Sequence, residues 1–90
     1  MLLLPDRLTV DEANDTLRML QQGLKREPGD RLVVDAGALR HFDSSALAVL
    51  LECERLAVAG GKRFEVQQLP SKLRELAGLY GIGELLPTAG

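Results

Sequence analysis

Apolar residues recur at spacings of three and four after Thr9, which is the pattern of a helix with one apolar face. The positions on this face are Val10, Ala13, Leu17, Leu20 and Leu24. Thr9 followed by Glu12 predicts a capping box at the start of the helix. The turn Glu27-Pro28-Gly29-Asp30 predicts where the helix ends.

Three short segments predict β-strands. Residues 2–4 form a minimal strand that is ended by Pro5. Residues 32–36 include two valines and show no alternation of apolar and polar side chains, which predicts a strand buried on both faces. Residues 64–69 alternate as far as Gln67, which predicts a strand nearer an edge of the sheet.

A more apolar helix is predicted over residues 44–59, between the polar turn Asp43-Ser44-Ser45 and the stop signal Gly60-Gly61. Asp43 or Ser44 would cap this helix. Residues 46–51 are all apolar, so the first turns must be covered on more than one side. In a chain of 90 residues, another molecule can supply part of that cover. Residues 46–51 can therefore belong either to the hydrophobic core or to a surface that binds a partner, and the sequence favours neither interpretation.

The sequence Pro70-Ser71 predicts the start of a last helix, and Gly81 and Gly83 predict its end. Its inner positions are predicted to be Leu73, Leu76, Ala77 and Tyr80. An apolar tail follows and is predicted to fold back onto the domain. The tail consists of Ile82, Leu85 and Leu86.

The predicted order of elements is strand, helix, strand, helix, strand, helix. Helical crossovers of this length join parallel strands with a right-handed connection. We therefore predict one α/β domain over residues 1–90, with a mixed or parallel sheet. The helices are expected mainly on one face, because three strands cannot bury two full helical layers.

Composition argues against several classes of partner. The chain has 13 acidic and 11 basic residues, a net charge of -2, and no run of basic residues, so neither nucleic acid nor an anionic membrane is predicted to bind it directly. Residues 1–5 are too short for a secretory segment, and the longest apolar run is far shorter than a membrane span. Cys53 is the only cysteine, which excludes an internal disulfide and favours a cytoplasmic protein.

No catalytic or metal-binding constellation is visible in the sequence. His41 is the only histidine, so a zinc site of histidine and cysteine ligands cannot be assembled with Cys53. Ser44, His41 and Asp43 are near neighbours in one turn, a spacing that rarely reaches the geometry of a catalytic triad. We therefore expect no enzymatic activity, no metal and no cofactor of the chain's own.

The segment Phe42-Asp43-Ser44-Ser45-Ala46-Leu47, which follows a strand ending in Asp35, resembles the signature of the STAS domain family. In that family an Asp-Ser-Ser/Thr-Gly-Leu turn opens the central helix. Gly61 and the strand and helix after it follow in the family's order. The chain departs from the pattern at Ala46, which replaces the usual glycine, and at its N-terminus, where the first strand of the family's opening hairpin is missing.

Within the family, Leu76-Ala77-Gly78-Leu79-Tyr80-Gly81 and Leu85-Leu86-Pro87 most resemble the MlaB branch, the small cytoplasmic STAS subunits of the Mla phospholipid ABC transporter. This resemblance implies a non-enzymatic accessory subunit that binds the transporter's ATPase and stabilises or activates it. The transporter maintains outer-membrane lipid asymmetry. ATP would be bound by the partner, and the chain would reach the inner membrane only through that partner.

The resemblance also implies which residues meet the partner. The turn would contribute Asp43, Ser44 and Ser45, with apolar area from Leu47 and Leu51, and the last helix would add Lys72, Glu75 and Leu79. The alternative function is an anti-sigma factor antagonist, in which an anti-sigma factor kinase phosphorylates Ser44 and the added charge releases the partner. Because the first strand of the usual hairpin is missing, a second copy of the chain could complete that edge of the sheet, so a weak homodimer is also possible.

Overall fold

The computed structural model describes residues 1–83, 86, 88 and 89. Its strands are β1 (Leu2–Leu3), β2 (Arg7–Leu8), β3 (Arg31–Asp35), β4 (His41–Phe42), β5 (Arg63–Gln67) and β6 (Thr88–Ala89). Its helices are α1 (Val10–Arg26), α2 (Ser44–Ala59) and α3 (Ser71–Leu79). Leu85 and Pro87, which belong to the predicted tail and to the resemblance, lie outside the described residues. The predicted α/β class is confirmed.

The main sheet has the strand order β1-β3-β5-β6, and every described pair in it is parallel. The strand predicted nearer an edge is β5, which is not itself an edge strand, because it lies between β3 and the terminal strand β6. Its second neighbour is β6, which aligns Thr88 with Val66. Strand β6 was not predicted, since two residues carry too little periodicity to indicate a strand.

The helices cover one face of this sheet. Leu32 and Val34 of β3 are fully buried in the core, whereas Val33 between them is only half-buried. The prediction that this strand is buried on both faces is therefore wrong. The physical reason is that a chain of this length has helices enough to cover only one face of the sheet. The opposite face is left to water and to polar side chains such as the Arg31–Glu65 ion pair.

The three described helices begin at the positions that the sequence predicted, α1 and α2 with a capping side chain and α3 directly after Pro70. In α1 the Thr9–Glu12 capping box is confirmed, but Val10 is 68% exposed and does not belong to the buried face. In α3, Leu73 and Ala77 are buried as predicted. Tyr80 is 58% exposed, so its assignment to the core is wrong.

A second, smaller sheet joins the loops that lead into α1 and α2. Strand β2 pairs in parallel with β4, and the register aligns Arg7 with His41 and Leu8 with Phe42. The backbone N–H groups of residues 40 and 41 also donate to the carbonyl of Asp6. Because α1 and α2 follow immediately after these two strands, their first turns start side by side.

Candidate functional site

Asp43 caps the start of α2. Its Oδ1 accepts a hydrogen bond of 2.8 Å from the backbone N–H of Ser45, one of the amides that the helix itself leaves unpaired. The N–H groups of Ser45 and Val10 both donate to this carboxylate and hold its pKa below the ordinary value. Asp43 is therefore a stable anion at neutral pH, placed at the positive end of the helix.

The serines of the turn differ in accessibility. Ser44 is the first residue of α2 and its side chain is exposed, whereas Ser45 is half-buried and bonded to Asp43 through its backbone. An exposed hydroxyl at a helix start can meet a partner's polar groups or accept a phosphate. Of the three predicted residues in the turn, Ser44 is thus the one with a freely presented side chain.

The prediction that Leu47 supplies apolar contact area to a partner is wrong. Leu47 is 2% exposed and belongs to the hydrophobic core. Leu51 is half-buried and packs against the same core, so only part of its side chain faces outward. The apolar start of α2 is buried mainly by the chain itself, since α2 packs against α1, β5 and α3.

One stripe of α2 nevertheless faces outward along its whole length. Ser44, Ala48 and Arg55 are exposed, and Leu51 lies half-exposed between them. Arg55 forms an ion pair with Glu52 one turn away, with a Nη2–Oε1 distance of 2.5 Å. Neither Ala48 nor Arg55 was among the predicted contact residues, although their spacing from Ser44 is that of one helix face. Their small and polar side chains, two turns apart among larger apolar ones, were the available signal.

Helix α3 presents a separate exposed surface. Lys72, Glu75 and Leu79 are all exposed, at spacings of three and four that place them on one side of the helix. Leu79 is 83% exposed, the largest value among the exposed apolar side chains of the described residues. These residues are accessible, as a contact role would require.

The structure does not assemble a triad from Ser44, His41 and Asp43. The carboxylate of Asp43 accepts the backbone amides of Ser45 and Val10, and no hydrogen bond of the described residues joins the imidazole of His41 to Asp43 or to Ser44. Within residues 1–83, 86, 88 and 89, no group of histidine, cysteine and carboxylate side chains is arranged to hold a metal ion. None of the helices described there is both long and apolar enough to cross a membrane.

Cys53 lies on the buried face of α2, and burial raises the pKa of its thiol from 9.0 to about 11. At pH 8 only about one molecule in a thousand would carry the reactive thiolate. We predict that a disulfide reagent such as DTNB labels the folded chain at least about a hundredfold more slowly than the urea-unfolded chain. Equal rates in the two states would contradict the burial of Cys53.

A comparison with family models supports the resemblance seen in the sequence. The model described as "Mlab, STAS domain" matches residues 1–87, nearly the whole chain. Among curated proteins, no sequence matches the chain significantly. STAS domains are generally binding domains without catalysis of their own, in keeping with an exposed hydroxyl at a capped helix start. With this match, and with three helices and a parallel sheet among its described residues, the chain belongs to the STAS domain family.

Proposed function

We propose that this STAS domain is an accessory subunit that binds the ATPase of a phospholipid-transporting ABC transporter and stabilises or activates it. The transporter would be one that maintains outer-membrane lipid asymmetry, and the domain would sit at the inner membrane through its partner. ATP binding and hydrolysis belong to the partner. The match to a family model that carries the MlaB name supports this choice.

The observation that carries the proposal is the accessible stripe that begins at Ser44. The side chains of Ser44 and Ala48 are both small and exposed, so the backbone of another protein can approach the first two turns of α2 closely. Leu51 adds a partly exposed apolar side chain one turn further on. An outward helix face with a partly exposed apolar side chain suits contact with another protein, whereas a small molecule requires a concave pocket.

The outward side of α3 is proposed as a second contact surface for the same partner. Lys72 and Glu75 would supply polar contacts, and Leu79 would supply apolar area. An apolar side chain as exposed as Leu79 is a natural candidate for burial by a partner.

A tagged pull-down from the membrane fraction of the native host tests the proposal. We expect an ABC ATPase and its permease to co-purify with the wild-type domain. As a specificity control, the same tag on a variant with Ala48→Arg should recover much less of both proteins. Recovery of a soluble kinase-like anti-sigma factor instead would contradict the transporter proposal.

The alternative, a phosphorylation-switched anti-sigma factor antagonist, is favoured by one observation. The Ser44 hydroxyl is exposed and therefore accessible to a kinase. A phosphate there would bring about two negative charges to the contact surface, close to the carboxylate of Asp43. Mass spectrometry of the chain purified from its host tests this alternative, which requires a phosphorylated fraction at Ser44.

A further inference from the structure

The carboxylate of Asp43 serves two helices at once. Its Oδ1 accepts the N–H of Ser45 at 2.8 Å, and its Oδ2 accepts the N–H of Val10 at 3.2 Å. Ser45 lies in the first turn of α2, whereas Val10 is the first residue of α1 and is 33 residues away in the sequence. One side chain thus ties together two helix starts.

Helix α1 does not need Asp43 in order to form. Thr9 and Glu12 already make a capping box, in which Oε1 of Glu12 accepts the Thr9 N–H at 2.9 Å and the Thr9 hydroxyl at 2.8 Å. The Thr9 hydroxyl oxygen in turn accepts the N–H of Asp11 at 3.4 Å. The bond from Val10 to Asp43 is therefore additional to local capping, and its effect is to position α1 relative to α2.

The small sheet of β2 and β4 makes this bond geometrically natural. The aligned pair Leu8 and Phe42 is followed at once by Thr9 on one strand and Asp43 on the other. The next residues are Val10, which is 68% exposed, and Ser44, which is also exposed. Two residues with exposed side chains, far apart in the sequence, are thus brought together at Asp43, one as its neighbour in the chain and one through its backbone N–H.

We infer that Asp43 is a positioning residue, which holds the first turn of α1 beside Ser44 so that a partner meets both helix starts as one surface. The inference rests on the proposed function, because it concerns the same partner and the same helix start. It assigns Asp43 an intramolecular role, in place of the direct contact that the sequence analysis expected. It also adds Val10, an exposed apolar residue, to the partner-facing surface.

The variant Asp43→Asn isolates the bond between the helices. Asparagine caps helices as well as aspartate does, so the shorter bond from Ser45 can persist. Its amide nitrogen is a donor and cannot accept the N–H of Val10. Asp15→Asn is the matched control, because it removes the same charge from an exposed side chain of α1, one that pairs with Arg18 rather than with α2.

The first measurement is solvent exchange of backbone amides by NMR, which needs no partner. In Asp43→Asn we expect exchange of the Val10 amide to accelerate about fivefold, while the Ser45 amide changes little. Asp15→Asn should leave both rates near those of the wild type. Asp43→Ser, which has a single acceptor oxygen, serves as a second variant and should give the same result as Asp43→Asn.

The second measurement is the dissociation constant for the purified ATPase subunit. We expect Asp43→Asn to weaken binding about fivefold or more, with a melting temperature close to that of Asp15→Asn. An unchanged Val10 exchange rate would overturn the inference, and so would faster exchange with unchanged affinity. If the wild-type domain itself does not bind the ATPase, the proposed function fails, and the exchange rates alone then decide whether Asp43 joins the two helices.

Discussion

Replacing Leu47 with aspartate is expected to unfold the domain. Leu47 is 2% exposed within the hydrophobic core, so the substitution removes a packed leucine and buries an unpaired charge. The loss of packing alone costs about 2–5 kcal/mol, and the charge adds several more. A domain of this length is expected to have a total stability of roughly 5–10 kcal/mol. The variant should therefore lose its cooperative thermal transition, measured by circular dichroism.

The neighbouring variant Ala48→Asp provides the matched control. It introduces the same residue into the same helix turn, but at an exposed position. We expect Ala48→Asp to melt cooperatively, within several degrees of the wild type. If Leu47→Asp melted as cooperatively as its control, Leu47 could not be part of the core, and its original assignment to the partner surface would be restored.

Ala48→Arg is expected to have the largest effect on partner binding among substitutions that preserve the fold. Ala48 is exposed one turn after Ser44, and arginine has nearly the helix propensity of alanine, so α2 should remain intact. A long charged side chain would hold a closely packed partner away from the helix. We expect the dissociation constant for the ATPase subunit to rise at least about tenfold, equivalent to about 1.4 kcal/mol.

Ala59→Arg is the control for this substitution. Ala59 is an exposed alanine at the last position of α2, at the opposite end from Ser44. The same change in size and charge there should leave the affinity within about twofold of the wild type, as is usual for positions outside an interface. Equal affinities for Ala48→Arg and the wild type would remove the start of α2 from the partner surface.

Helix boundaries were the part of the fold most accessible from the sequence. The prediction of a helix over residues 44–59 matches α2, because Asp43 at its start and Gly60-Gly61 at its end act through bonds and dihedral angles within a few residues. Gly61 has φ +79, a conformation that glycine adopts readily and other residues rarely do. The capping box of α1 is local in the same way, and it was predicted correctly.

The wrong predictions of burial share one physical cause. The spacing of apolar residues shows which of them lie on the same face of a helix or strand, but not which neighbouring element packs against that face. Leu47 and Ala48 are adjacent and both apolar, yet Leu47 is buried and Ala48 is exposed. Val10 fits the apolar stripe of α1, but it lies at the helix start, where it is left exposed. These outcomes depend on how α1, α2 and the sheet pack together, which no window of neighbouring residues contains.

The sequence by itself determined the α/β class, the extents of the helices and the capped turn that marks the STAS family. These features follow from local capping, turn chemistry and the order of elements. Only the tertiary structure decided that Leu47 belongs to the core and that Asp43 also bonds to Val10. Both depend on contacts between residues far apart in the chain. The helix starts are brought together by the pairing of β2 with β4, which involves only two residues on each strand and is too short to show as a pattern in the sequence.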